Sequence, residues 1–268
     1  GRIVRVDDVS RQRRREMLRL MQRYYENVQA DAFEADLAEK DWVIEIADPV
    51  NGALRGFSTQ MTFAVSQADG SPATALFSGD TIVDEPYRGN HLLAGLWGRL
   101  VLHLLERHAG EELSWFLISK GYKTYRFLPL FFQEFYPRYD RPTPEIVARR
   151  LESFAQWKYP GTYDCEAGLI RSDGLGCRLR PGMADATPQR CRDPHVGYFC
   201  ERNPRHGQGD ELCCIAPLSR ENFTRAAWRV IREAADGDVA ALNSDRTASG
   251  HTASDRTASD HRVLGVLR

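Results

Sequence analysis

The chain has 268 residues, a formal net charge of −1 and 42% hydrophobic residues. A chain of this length and ordinary composition can bury a sizeable core, which points to one domain with a large insertion or to one and a half domains. The near-neutral balance excludes a global basic field that would recruit nucleic acid, and no apolar run approaches the ~18 residues of a membrane span.

The opening, GRIVRVDD, has no apolar signal-peptide core, so a cytoplasmic location is expected. IVRV at 3–6 reads as a short strand. Asp8 or Ser10 then caps a helix to about Asn27, with Met17, Met21, Tyr24 and Val28 at helical spacing. Its RQRRR run at 11–15 reads as a solvated face. Residues 31–40 predict a second short helix with Asp31 as its cap. A meander follows: Trp42–Ala47, the Asn51-Gly52 turn, the alternating run 57–65, the Asp69-Gly70 turn, and 74–83. Gly79 interrupts the last strand, which suggests a bulge or a close approach by another group.

After Asn90, Leu92, Leu93, Leu96, Trp97, Leu100, Val101, Leu104 and Leu105 make the clearest helical stripe in the chain. LSWFLI at 113–118 reads as a buried central strand. An aromatic helix over about 122–136 follows, with Pro129 bending it or marking its first turn. TPEIVARRLESFAQWK at 143–158 predicts a helix with Thr143 as cap, and 160–190 a long loop. HVGYFCER at 195–202 and ELCCIAPL at 211–218 read as a late β-hairpin, closed by a helix at 220–235. The repeat SDRTASGHTASDRTASD at 244–260 is too polar to offset its ordering entropy, so a mobile tail is expected. The cysteines at 165, 177, 191, 200, 213 and 214 contain no C-x-x-C pair, which argues for free thiols rather than zinc or a disulfide framework.

The strand-to-helix junction DTIVDEPYRGNHLL at 80–93 carries the most specific signal. A helix N-terminus bares N–H groups and the positive end of a dipole; Gly89 lets the backbone approach a ligand and Arg88 adds a fixed charge. Such a junction suits a phosphate or pyrophosphate, and equally the plain capping of a helix. IVDEPYRGNHLLAGLW resembles the acyl-CoA-binding segment of the GNAT superfamily of N-acyltransferases. Val83, Pro86, Tyr87, Arg88 and Gly89 fit that pattern, whereas His91 and Leu93 stand where the family has small residues. The resemblance covers roughly 3–136, and 195–218 more loosely.

The resemblance implies an α+β, GNAT-like fold: a mixed, mostly antiparallel sheet flanked by helices, with a helical and loop insertion and a low-complexity tail. The implied units are a core at 1–139, an insertion at 140–194 forming an acceptor pocket or lid, a closing hairpin and helix at 195–236, and a tail at 237–268. It implies direct transfer of an acyl group, acetyl first, from acyl-CoA to a small-molecule amine. No metal is implied, an acyl-carrier protein could replace CoA as donor, and a homodimer stays open. Ile82 and Val83 would meet the pantetheine arm; Arg88, Gly89, Asn90, His91, Leu92 and Leu93 would meet the phosphates. Asp80 is the candidate base, ahead of Glu134, and Tyr136 the candidate acid, ahead of Tyr139. Ser119, Lys120 and Lys123 follow the fifth strand and could reach substrate; Trp157, Tyr159 and Tyr163 could contact the acceptor. Two other readings stand beside this one: a GNAT-like fold that binds without catalysis, and an α+β interaction module in which the Arg88 loop only caps a helix.

Overall fold

A computed structural model describes residues 1–67, 70–89, 91–174, 176–183 and 185–234. Asp69, Asn90 and the stretch from 235, with the polar repeat and the expected mobile tail, lie outside these residues.

Strand β1 (Arg2–Arg5) leads to helix α1 (Arg11–Tyr24), capped by Ser10, whose hydroxyl accepts from Arg13 N at 3.2 Å. A two-residue strand β2 (Tyr25–Glu26) follows, then α2 (Ala30–Ala38). Asp31 is not the cap of α2: Gln29 holds that position, without a side-chain bond. Strands β3 (Trp42–Ala47), β4 (Leu54–Ser66) and β5 (Pro72–Val83) form the meander, each antiparallel to the one before. Helix α3 (Leu92–Arg107) crosses to β6 (Leu113–Ser119), which runs parallel to β5.

The aromatic helix expected over 122–136 is two short pieces, α4 (Tyr122–Tyr125) and α5 (Phe127–Phe131). Phe132 then turns extended and forms a bridge with Phe223, so tertiary pairing ends the helix five residues early. Helix α6 (Glu145–Lys158) starts one position later than read, with Pro144 rather than Thr143 at its cap. The loop beyond it holds three two-residue strands: β7 (Tyr163–Asp164), β8 (Leu169–Ile170) and β9 (Arg178–Leu179).

The expected hairpin is wrong in its first arm: 195–202 is helix α7 (Pro194–Arg202). Asp193 caps it by accepting from His195 N at 3.0 Å, and Pro194 presets the first turn. Val196 and Phe199, three apart, are fully buried, so burial on one helical face outweighs their β preference. Strand β10 (Glu211–Pro217) and helix α8 (Arg225–Glu233) complete the described chain.

Among the described residues the main sheet runs β1-β3-β4-β5-β6-β10-β8-β7, and β2 pairs with β9 apart from it. One core joins Ile44, Leu76, Trp115 and Leu117 of the sheet to α3, α5, α7 and α8. Two further cores use the sheet's other residues: Val43, Phe57 and Ile82 pack with α1 and α2, while Phe63, Phe77 and Phe116 pack with α6. No helix among these residues is long and apolar enough to cross a membrane.

Candidate functional site

Among the described residues, the only parallel neighbours in the main sheet come apart partway along. Strands β5 and β6 pair from Thr74 with Leu113 to Ser78 with Leu117, and no further. Beyond that point Thr81–Val83 stays with β4, and Ile118–Ser119 stays with β10. A bulge helps to force the parting: between Ser58–Thr81 and Gln60–Ser78, β5 advances three residues against two on β4. Gly79 sits in that bulge because nothing larger fits; a Cβ there would lie 2.6 Å from Thr59 Oγ1 and 2.8 Å from Lys40 Cε.

A buried polar network fixes the point of divergence. Gln60 Oε1 accepts from Ser78 Oγ at 2.7 Å and from Trp97 Nε1 at 3.2 Å. Gln60 Nε2 donates to Ser58 Oγ at 2.7 Å, and Ser58 shares a 2.6 Å bond with Thr81 Oγ1. Trp115 Nε1 donates to Ser78 Oγ at 2.9 Å, tying β6 to the last paired residue of β5. Partners this well satisfied in a dry interior hold both strands to one geometry.

The gap is a cavity of about 190 Å³, lined among others by Gly79, Asp80, Thr81, Leu117, Lys120 and Glu211. It continues in two directions. Across Tyr25, Thr81, Gly121, Thr124 and Leu179 it meets a cavity of about 140 Å³ that reaches Ile82, Val83 and Arg88. Across Lys120, Tyr159 and Glu211 it meets a chamber of about 630 Å³, walled by Tyr163, Asp164, Arg171 and Asp173. Tyr25 pairs with Leu179 and Glu26 with Arg178, so the β2–β9 ribbon covers the gap.

The gap is charged and secluded. Burial, then the like charge of Asp36, push the Asp80 carboxyl up to about 6, with Lys120 and Lys40 pulling against them. Lys120 Nζ pairs with Glu211 Oε1 at 3.2 Å. Burial works against the Lys120 charge, but Glu211 and the nearby Tyr25, Cys177 and Asp80 hold it above the ordinary lysine value. Burial raises Glu211 in spite of Lys120, and raises the Tyr25 hydroxyl. Lys40 belongs to Asp36, with Nζ 2.7 Å from Oδ1.

At the mouth, Tyr24 organises the turn after β5. Its hydroxyl donates to Asp84 Oδ1 at 2.6 Å and accepts from Glu85 N at 2.8 Å. Arg23 pairs with the same carboxylate at 2.8 Å; the bonds from Tyr24 and Arg23 outweigh burial and hold Asp84 below its ordinary value. The Arg88 guanidinium lies 4.8 Å from the Tyr24 ring centre, and its Nε donates to Val83 O at 3.3 Å.

Of the residues expected in the site, Asp80, Ile82, Val83 and Arg88 line these cavities. Gly89, with a φ of 93°, and His91, Leu92 and Leu93 do not line the described cavities. His91 stands at the N-cap of α3 without a side-chain bond, and Leu93 is buried in the core beneath. Asn90 lies outside the described residues. Tyr136 is away from the gap: its ring packs in the core under α6, and its hydroxyl donates to Glu134 Oε2 at 2.8 Å. Glu134 also binds Arg141 at 3.0 Å, so the lesser base candidate sits with Tyr136 and not with Asp80. Tyr139 is exposed against His195. Trp157 stacks on Phe63 at 4.3 Å, while Tyr159 and Tyr163 line the chamber. Ser119 is buried and donates to Gly121 O at 2.8 Å; Lys123 lines the mouth.

A sheet with one parallel pair that parts after its first half, and an arginine turn at the opening, meets the architecture expected from the sequence. The fold is α+β, a mixed and mostly antiparallel sheet flanked by helices. Similar solved structures include the GNAT family N-acetyltransferase YhbS from Escherichia coli in complex with CoA, at 18% identity and a TM-score of 0.30. That similarity covers 40% of this chain and 57% of the other. An aminoglycoside 6′-N-acetyltransferase complexed with coenzyme A is 11% identical, with a TM-score of 0.36, over 81% of this chain and 97% of its own. Rv2747 from Mycobacterium tuberculosis, in complex with CoA and NLQ, is 12% identical, with a TM-score of 0.37, over 81% and 99%. No family model and no curated protein match the chain.

Sequence reasoning missed Tyr25, Leu179 and the Lys120–Glu211 pair as a unit. Their elements lie far apart in the chain, and the two-residue strands that join Tyr25 to Leu179 have no periodicity to read. Among the described residues no group of three or more His, Cys, Asp or Glu could hold a metal ion.

Proposed function

We propose that the chain is an N-acyltransferase that moves an acyl group, acetyl in the first instance, from acyl-CoA to a small-molecule amine. The observation that carries this reading is the parting of β5 and β6 after Ser78 and Leu117, with Asp80 in the gap and Arg88 at its mouth.

The thioester enters past Arg88, its phosphates against Arg88 and its pantetheine arm along Ile82 and Val83. The amine comes from the chamber walled by Tyr159 and Tyr163, so the 140–194 segment serves as acceptor wall and cover. Asp80 takes a proton from the amine as its lone pair attacks the carbonyl carbon. The tetrahedral intermediate then collapses, the C–S bond breaks, and the thiolate takes a proton to leave as the free thiol. A carboxyl with a pKa of about 6 is ionised at neutral pH yet basic enough to share that proton. Tyr25, which lines both the gap and the mouth, supplies the leaving-group proton in place of Tyr136. Holding both reactants in one gap provides a further part of the rate.

One observation favours binding without catalysis: Arg88 is already engaged by Val83 O and the Tyr24 ring. Calorimetry with acetyl-CoA, paired with thiol-release assays across amines, decides between the two. Transfer requires tight binding, an amine-dependent release of thiol, and weaker binding in Arg88→Ala. Binding with no release for any amine supports the second reading; no binding at all overturns both.

A further inference from the structure

Two of the six cysteines meet away from the cleft. Cys191 Sγ and Cys200 Sγ are 4.0 Å apart, and both side chains are partly open to solvent. Cys191 is the middle residue of the 3-10 turn Arg190–Arg192, and Cys200 lies in α7. Gly197 helps bring the two together: a Cβ there would press on Cys191 O at 3.0 Å, so glycine lets the turn rest closely on the helix one turn before Cys200. Cys191 Sγ also lies 3.9 Å from Ala186 O, which is no obstacle to rotation. An S–S bond of about 2 Å lies within reach of side-chain rotation and a small slide of the turn.

We propose that Cys191 and Cys200 form a reversible intramolecular disulfide on reaction with a small-molecule disulfide of the glutathione type. Cys191, as thiolate, attacks one sulfur of the reagent and releases the first reduced thiol. Cys200, as thiolate, then attacks the Cys191 sulfur of that mixed disulfide and releases the second. Two protein thiols are oxidised and one disulfide reagent becomes two thiols, so electrons and protons balance. Burial, and then the Cys191 sulfur, push the Cys200 thiol up to about 11, which disfavours Cys200 as the first attacking thiolate and casts it as the resolving thiol. The bond would tie the end of the loop that carries β9 to a helix fixed in the main core.

The test is incubation of the full chain with oxidised glutathione, followed by intact mass and a non-reducing tryptic map. The expected product is lighter by about 2 Da at this pair, has the 191 and 200 peptides joined, and reverts with dithiothreitol. Exposed Cys165 should instead retain a glutathione adduct. In Cys200→Ser, the adduct on Cys191 should persist rather than resolve. A stable adduct on Cys191 in the unaltered chain, or joining of 191 or 200 to any other cysteine, overturns the proposal. The mass readout needs no activity, so it is independent of the acyl-transfer reading.

Discussion

The ammonium of Lys120 stands 3.2 Å from the Glu211 carboxylate, and both groups line the gap beside Asp80. They act on Asp80 with opposite sign: Lys120 pulls its pKa down and Glu211 pushes it up. If Asp80 is the base, the acid limb of kcat/KM against pH falls through the Asp80 pKa. Glu211→Gln should move that limb to lower pH, and Lys120→Met should move it to higher pH. Profiles of the two variants that shift the same way, or neither of which moves, would remove Asp80 from the role.

Asp80→Asn should lower kcat/KM by about 10²–10⁴-fold, the usual worth of a positioned base. The same change should stabilise the fold at neutral pH. The Asp80 pKa is raised on folding, so the folded chain holds the proton more tightly than the unfolded one. Its ionisation therefore works against folding above about 6, and this penalty fades as pH falls toward the ordinary carboxylate range. Chemical denaturation at pH 8 should show a gain on the order of 1–2 kcal/mol, shrinking to nothing near pH 4. An activity loss joined to lower stability at pH 8 would instead mark Asp80 as structural.

Gly79→Ala should destabilise by about 1–3 kcal/mol, because its methyl would press on Thr59 and Lys40 where neither can retreat freely. Lys40 is fully buried and tied to Asp36. Thermal unfolding checks the size of the effect. A variant as stable as the parent would mean that the bulge is soft.

Gln60→Ala removes the shared acceptor of Ser78 and Trp97 and the donor to Ser58. Leaving these buried partners unmatched should cost about 2–4 kcal/mol, as several orphaned groups each cost 1–3. Urea unfolding should show a lower midpoint with an unchanged slope. A drop below about 0.5 kcal/mol would show the network to be replaceable by water.

Much of this fold was legible because its signals are local. Period-two alternation marks β4, and the leucine stripe marks α3. Helix α7 is hard to see although its start is written in the chain: Asp193 and Pro194 are a cap and a first turn, yet Val196, Tyr198 and Phe199 weigh toward a strand. The aromatic segment after Tyr122 reads as one helix because nothing nearby announces the bridge from Phe132 to Phe223. In the site, Ile82, Val83 and Arg88 belong to a contiguous motif and could be read. A family position alone points to Tyr136, and only the tertiary path shows its hydroxyl spent on Glu134. The ribbon joining Glu26 to Arg178 spans 152 positions and leaves no trace in either neighbourhood.

That span has a consequence for biosynthesis. A ribosome delivers the diverging strands long before it delivers Arg178 and Leu179, and the tenth strand comes later still. A nascent chain halted near residue 140 would therefore display the apolar flank of β6 and an unroofed crevice to solvent. The chain's exposure to misassembly is greatest during that interval, and the delivery of β9 and β10 brings it to an end.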